Sequence, residues 1–317
     1  MKQIKYPPRG SAEFKQIISD YKGLFTANLS KMEAEWITWK NNNHVTTINE
    51  TVEELLVADT DAIADVYDRF IGLPISSTQP CSKGSGKMER SDEYKELDKI
   101  FNYANKYDDV IANFFESRAD ELHISTCHYC ELAYINTYVI SRLGGVRKRQ
   151  FDVDHFLPKK ESPIIGLSLF NFVPSCQVCN SRIKSSKILG DNTAERNVFN
   201  PASDQYQFDK NVKIRLRMWR RPSTAFRNKS QYYIYFRCKN GYDKPVDFFH
   251  LQDRYEFHKK EAMRLLKLKA DYPPSTIQRI ANLLGKSASE VREDVFHKKY
   301  LTNNDRCFAK LTRDILK

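Results

Sequence analysis

Apolar residues recur at helical spacing through most of the first 120 positions. Phe14, Ile17, Ile18 and Tyr21 fall at i, i+3, i+4 and i+7, with Ser11 placed to cap the helix they predict. A Pro-containing arm, Tyr6-Pro7-Pro8-Arg9-Gly10, precedes it. Trp36 and Trp39 mark a second helix ending near Asn41-Asn42-Asn43, and Thr51 to Ile71 reads as a third with an acidic outer face. Residues 72–92, rich in Pro, Ser, Gly and Lys, read as a loop. Within it, Ser82-Lys83-Gly84-Ser85-Gly86-Lys87 lacks the G-x-x-x-x-G-K-[ST] spacing of a phosphate-binding loop. Ser91 to Leu122 reads as one long amphipathic helix whose stripe runs from Tyr94 through Leu97, Ile100 and Phe101 to Phe114.

The period then changes. Gln150-Phe151-Asp152-Val153 reads as a strand stopped by Pro158, with Phe170 to Pro174 returning beside it and Gln177 to Lys187 helical. Val212, Ile214, Leu216 and Met218 alternate with Lys213, Arg215, Arg217 and Trp219, which predicts a half-buried strand with a basic outer face. Gln231 to Cys238 is its expected partner, with Tyr233, Tyr235 and Arg237 on one side, and the loop between carries Arg220, Arg221, Arg227 and Lys229. Gln252 to Tyr272 reads as one helix. Pro274-Ser275 starts another that Gly285 ends, and Ser287-Ala288-Ser289-Glu290 fits a capping box. The expected class is α+β: a helical region over 1–120, a central module over 121–200, and a basic sheet with helices over 201–317.

Charge sharpens this division. The chain of 317 residues carries a net +11, but residues 1–120 hold 15 Lys and Arg against 20 Asp and Glu. The remainder holds 36 against 20. Such asymmetry suggests a polyanion partner for the basic portion, although a soluble protein can simply be basic. No apolar run approaches the roughly 18 residues of a membrane span, and Met1-Lys2-Gln3-Ile4-Lys5 has no apolar signal core. The expectation is a cytoplasmic protein away from membranes.

Four of the seven cysteines form two C-x-x-C pairs, Cys127-His128-Tyr129-Cys130 and Cys176-Gln177-Val178-Cys179. A two-residue gap lets both sulfurs of a pair reach one ion, so the two pairs together predict a closed, structural zinc site. Unrelated buried cysteines or a redox C-x-x-C are the alternatives, though a redox motif needs only one pair. The separation of the pairs exceeds that of a zinc ribbon and implies an insertion. His128, inside the first knuckle, is expected to be exposed, since four thiolates suffice.

That insertion holds Asp154-His155 at the end of a strand. Adjacent strand residues face opposite ways, so both serve one site only where the strand becomes irregular, which Pro158 makes plausible. A neutral imidazole suits a general base at cellular pH, which gives His155 that role. A hard divalent cation takes oxygen ligands, and Asp154 and Asn180 offer a carboxylate and an amide oxygen. Asp152 shares the face of Asp154, where it could assist the metal or pair with Arg147 or Arg149. Arg182, Lys184 and Lys187 could hold a phosphate backbone.

Asp154-His155, Asn171-Phe172-Val173-Pro174 and Cys179-Asn180 with Lys184, in this order, resemble the ββα-metal core of HNH endonucleases. The flanking cysteines resemble the zinc-bearing subset of that family, and the likeness covers about residues 125–190. It implies metal-dependent cleavage of DNA with Mg²⁺ or Mn²⁺, leaving a 5′-phosphate. It assigns His155, Asp154 and Asn180 the same roles and gives Asn171 a positioning role. A looser resemblance, in Phe249-His250-Leu251 with Arg254-Tyr255 and in Lys310 to Ile315, is to stand-alone bacterial HNH proteins. Some of these work beside an ATPase in Septu or retron anti-phage systems, which implies such a partner here, docked on the acidic N-terminal region. Lys213, Arg215 and Arg217 are further candidates for DNA contact, as is the helix–turn–helix pattern of 275–300. The rival reading is a non-catalytic zinc module that binds nucleic acid or a protein.

Overall fold

Local chemistry sets most helix boundaries. The computed structural model describes residues 1–81, 87–218, 229–296 and 306–316. Helix α1 (Ala12–Gly23) begins where the Ser11 side chain accepts from the Phe14 N–H, and α2 (Thr26–Asn42) buries Met32, Trp36 and Trp39. The single helix expected over Thr51–Ile71 is two, α3 (Val52–Val57) and α4 (Thr60–Ile71). Asp59 is the cause. It is extended at the junction, and its carboxylate caps α4 by accepting from the Ala62 N–H. Short acidic side chains compete in this way with the helix interior.

The helix expected over Ser91–Leu122 is likewise interrupted. α5 (Asp92–Phe101) ends at Asn102, whose φ of 38° and ψ of 41° lie in the left-handed region. A π-helical turn, Tyr103–Tyr107, follows before α6 (Asp108–Ser117). This irregular turn faces the strands that carry Asp154 and His155.

Among the described residues the strands form four separate antiparallel ribbons. β1 (Thr78–Pro80) pairs with β2 (Met88–Arg90), and β3 (Thr137–Ile140) with β4 (Val146–Arg149). In the central ribbon, β5 (Asp152–His155) pairs with β6 (Phe172–Ser175), with Asp154 opposite Val173 and His155 opposite Phe172. β7 (Val212–Met218) pairs with β8 (Tyr232–Cys238) as the alternation predicts, burying Val212 and Ile214 against Ile234 and Phe236. α7 (Thr193–Phe199) and α8 (Phe208–Asn211) join the central ribbon to this last one.

The helix expected over Gln252–Tyr272 is also two. After α9 (Asp243–Phe248), α10 (Leu251–Glu256) packs on β8, where Glu256 accepts from the Ile234 N–H. α11 (Lys259–Asp271) packs chiefly on the last helix, Ala309–Leu316, and also touches β7 and β8; the chain turns between α10 and α11 and leaves Phe257 exposed. α12 (Pro274–Leu284) and α13 (Ala288–Phe296) pack together around Gly285 at φ 64°, with Ser287 and Glu290 forming the expected box. One contiguous buried cluster, from Met1 to Leu316, takes in residues of all three sequence regions. Among the described residues no helix is long and apolar enough to cross a membrane. The Ser82–Gly86 stretch, Trp219, Arg220, Arg221, Arg227, the side chains of Arg147 and Lys229, and residues 297–300 lie outside what is described.

Candidate metal centre and active site

The two C-x-x-C pairs meet. In the first knuckle the Glu131 N–H donates to the Cys127 carbonyl, at 2.9 Å. The second starts directly after β6 and runs into a π-helical segment, Val178–Lys184. All four sulfurs of Cys127, Cys130, Cys176 and Cys179 are buried and lie within 4.8 Å of one another. Cys130 Sγ and Cys176 Sγ are 4.0 Å apart. Thiolates bound tetrahedrally at about 2.3 Å from zinc stand about 3.8 Å from each other, so this donor set fits that ion. Burial pushes the Cys127 thiol up, while the surrounding sulfurs hold Cys130 and Cys176 down.

Residues from distant parts of the chain brace this cluster. Arg254 Nη1 donates to Cys179 Sγ at 3.3 Å and the Leu132 N–H to Cys130 Sγ at 3.4 Å, both favouring thiolate. Tyr255 Oη donates to the Cys130 carbonyl, and Phe249 stacks on Tyr129 with centroids 4.4 Å apart. His128 is a correction. It is buried, not exposed, because residues 1–4 fold over the knuckle: its Nδ1 lies 3.2 Å from the Lys2 carbonyl, and the Lys2 N–H donates to the His128 carbonyl. It lies outside the sulfur cluster.

Asp154 and His155 are the last two residues of β5, and both border one cavity of about 260 Å³ with Asn180. His155 Nε2 is 2.9 Å from the Gly166 carbonyl. A carbonyl only accepts, so Nε2 carries the hydrogen and Nδ1 is the basic atom. Burial, then the neighbouring charges of Lys159 and Lys184, push the His155 pKa down to about 3, which keeps the ring neutral. Tyr103 meets the ring edge-on at 4.4 Å and Phe172 flanks it at 4.8 Å.

Asn171 positions this arrangement. Its Oδ1 accepts from the Leu157 N–H at 2.8 Å, and its Nδ2 donates to the carbonyls of Leu157 and Ile165. The turn after His155 is thereby tied to the turn that presents Gly166. A Cβ on Gly166 would come within 2.9 Å of the Pro163 carbonyl, so any side chain there would shift the carbonyl that aims His155.

Asp154 is almost fully buried and accepts from Tyr129 Oη at 2.7 Å. Lys184 Nζ lies 3.2 Å from its Oδ2 and also donates to the His155 carbonyl at 2.6 Å. Burial raises the Asp154 pKa, and Lys184 and Tyr129 counter it. Lys184, expected on the phosphate backbone, is therefore corrected: its ammonium is buried beneath the site, held by Asp154. Asp152 accepts from Asn180 Nδ2 at 3.1 Å, and Arg149, one of its two expected arginine partners, reaches Asp109 instead; the side chain of the other, Arg147, lies outside what is described. With its nitrogen so used, Asn180 has its side-chain oxygen left over, while Lys184 Nζ lies near both Asp154 oxygens, 3.4 Å from Oδ1 and 3.2 Å from Oδ2. A carboxylate and an amide oxygen are donor types that a hard divalent ion accepts.

Of the basic candidates, Arg182 and Lys187 are exposed; neither borders the cavity, although Ser186, next to Lys187, does. On β7, Arg215 points outward, Arg217 lies over the Tyr235 ring at 4.2 Å, and Lys213 donates to the Asp209 carbonyl. Tyr103, Tyr129 and Lys159 belong to the site but carried no sequence signal, since each is ordinary in its local pattern. Comparison with family models, curated proteins and solved structures returned no match.

Proposed function

We propose that this protein is a zinc-stapled, metal-dependent endonuclease of the HNH type that hydrolyses phosphodiester bonds in DNA. The observation that carries the reading is the convergence of a neutral, oriented imidazole and two oxygen donors, His155, Asp154 and Asn180, on one cavity. Asp154 and Asn180 would hold a Mg²⁺ or Mn²⁺ ion, which when bound relieves charge on the phosphoryl oxygens. His155 Nδ1 takes the proton of the attacking water, and Gly166 fixes the ring for that transfer. An arriving phosphodiester brings negative charge beside the imidazole and raises its low pKa toward a useful range for a base. Lys184 and Tyr129 hold the Asp154 carboxylate in place. Arg182 and Lys187 would meet the backbone near the cut. A role in anti-phage defence beside a partner ATPase, docked on the acidic surface of residues 1–120, extends the same proposal. Against the rival of a non-catalytic zinc binder, a module that only binds has no need of an aimed base beside two oxygen donors.

The test is nicking of supercoiled plasmid against metal concentration for wild type, His155→Ala and Asn180→Ala. Both variants should keep zinc, fold normally and lose cutting by a factor on the order of 10² or more. Raised Mn²⁺ should partly rescue Asn180→Ala by mass action, and should not rescue His155→Ala. Undiminished cutting by His155→Ala would remove this mechanism.

A further inference from the structure

A second cavity, of about 420 Å³, adjoins the first. Both are bordered by Tyr103, Lys159 and Lys160, so these residues form the ridge between them. The second is also bordered by Gly166, whose carbonyl aims His155, and by the left-handed Asn102. The π-helical turn Tyr103–Tyr107 starts at this ridge, and such turns tend to serve functional sites.

Lys159 is unusual among the cations here. Its Nζ lies 3.6 Å from the centroid of the Tyr103 ring. Among the described residues no carboxylate stands within ion-pair distance of it, and Asp108 and Asp98 attract it from farther off. By contrast, Arg90, which also borders the second cavity, is occupied by Asp98 and by the Lys160 carbonyl. Lys159 is partly buried, and burial pushes its pKa down to about 8. Asp108 and Asp98 offset this burial only in part, so an ammonium bordering both cavities is left able to take an anion. Tyr103 cannot neutralise it. Burial, then Asp108, which accepts from its hydroxyl at 2.8 Å, push the phenol upward and keep it protonated.

We infer that the Lys159–Tyr103 ridge is a phosphate subsite, over which a nucleic-acid strand passes from the catalytic cavity into the second cavity. Lys159 holds the phosphodiester next to the one being cut, and the second cavity receives the attached nucleoside against Tyr103. This rests on the nuclease reading for its substrate, and it adds a binding determinant that the four cysteines, His155, Asp154 and Asn180 do not include. It also explains why a residue of the α5–α6 junction packs on the proposed base: the substrate path and the orientation of His155 share one ring.

The probe is thymidine 3′,5′-bisphosphate, titrated calorimetrically into the zinc-loaded protein without added Mg²⁺ or Mn²⁺. Wild type should bind saturably, with affinity falling as salt rises. Lys159→Met should bind about ten- to a hundredfold more weakly, the range for one charge-assisted hydrogen bond. Lys159→Arg should keep most of the affinity. Lys31→Met, exposed on α2, should match wild type, and circular dichroism should show every variant folded. Wild-type affinity in Lys159→Met, or no saturable binding by wild type, overturns the subsite. Plasmid nicking separates the two ideas. If wild type cuts while Lys159→Met binds the probe undiminished, only the subsite falls. If nothing cuts but binding needs Lys159, the nuclease reading falls and a nucleotide-binding site remains.

Discussion

Lys184 is the residue whose sequence context misled most. It lies four positions after Asn180 in a basic run, Arg182-Ile183-Lys184, and pattern alone puts it in solvent. The π-helical turn instead rotates it inward, onto Asp154 and the His155 carbonyl. Removing one partner of a buried ion pair leaves the other charge uncompensated, which costs more than the pair contributes. Lys184→Met should therefore lower stability by about 3 kcal/mol in guanidinium unfolding. Adding Asp154→Asn should recover part of that loss, because the stranded carboxylate is gone. Unchanged stability in Lys184→Met would return this lysine to the surface. The meeting of the four cysteines, and of Asp154, His155 and Asn180 at one cavity, was legible because these residue types at this spacing have few other uses. Tyr129, Tyr103 and Lys159 were not, since an aromatic or a lysine in these positions is ordinarily core or solvent-facing, and only tertiary packing assigns them.

At the scale of elements, helix type was legible and helix length was not. The apolar stripe continues through Asp59 and through Asn102, so periodicity reads one helix where there are two. Asn102 shows how one residue breaks the run. It adopts a left-handed conformation that asparagine tolerates and β-branched residues resist, and among the described residues its buried Oδ1 has no hydrogen-bond partner. Asn102→Gly should thus stay within about 0.5 kcal/mol of wild type, whereas Asn102→Val should cost about 2 kcal/mol. Thermal unfolding of both variants checks this, and equal losses would place the break elsewhere. The pairing of β7 with β8 was read correctly, and the inner face holds at Val212 and Ile214 but is lost by Met218, which is exposed. The ribbon's proposed meeting with DNA has a separate test, a salt series of DNA affinity for the Lys213→Glu, Arg215→Glu, Arg217→Glu triple variant. Contact predicts weaker binding and a flatter salt slope, with Arg215 the largest contributor because Arg217 lies over Tyr235 and Lys213 is bonded to Asp209. An unchanged slope would make this face merely solvated.

Across the whole molecule, the cysteine cluster is where separate stretches are tied together. Lys2 folds over the first knuckle, and Phe249, Arg254 and Tyr255 reach it from the C-terminal region. These ties cross both boundaries drawn from charge and periodicity, at 120 and at 200, because charge describes surfaces and the packing runs through the core. Zinc binding at such a site is coupled to folding, on the order of 10 kcal/mol apparent. Cys176→Ser should then give aggregated or partly unfolded protein, not a folded protein that merely lacks metal. Acid should act in the same direction: the sulfurs bind as thiolates, protons compete for them, and zinc release should increase as pH falls. If the knuckles brace all three regions, calorimetry of the zinc-loaded chain should show one main transition that moves far downward on chelation. Soluble Cys176→Ser protein, free of zinc and melting as wild type does, would make the cluster dispensable to the fold.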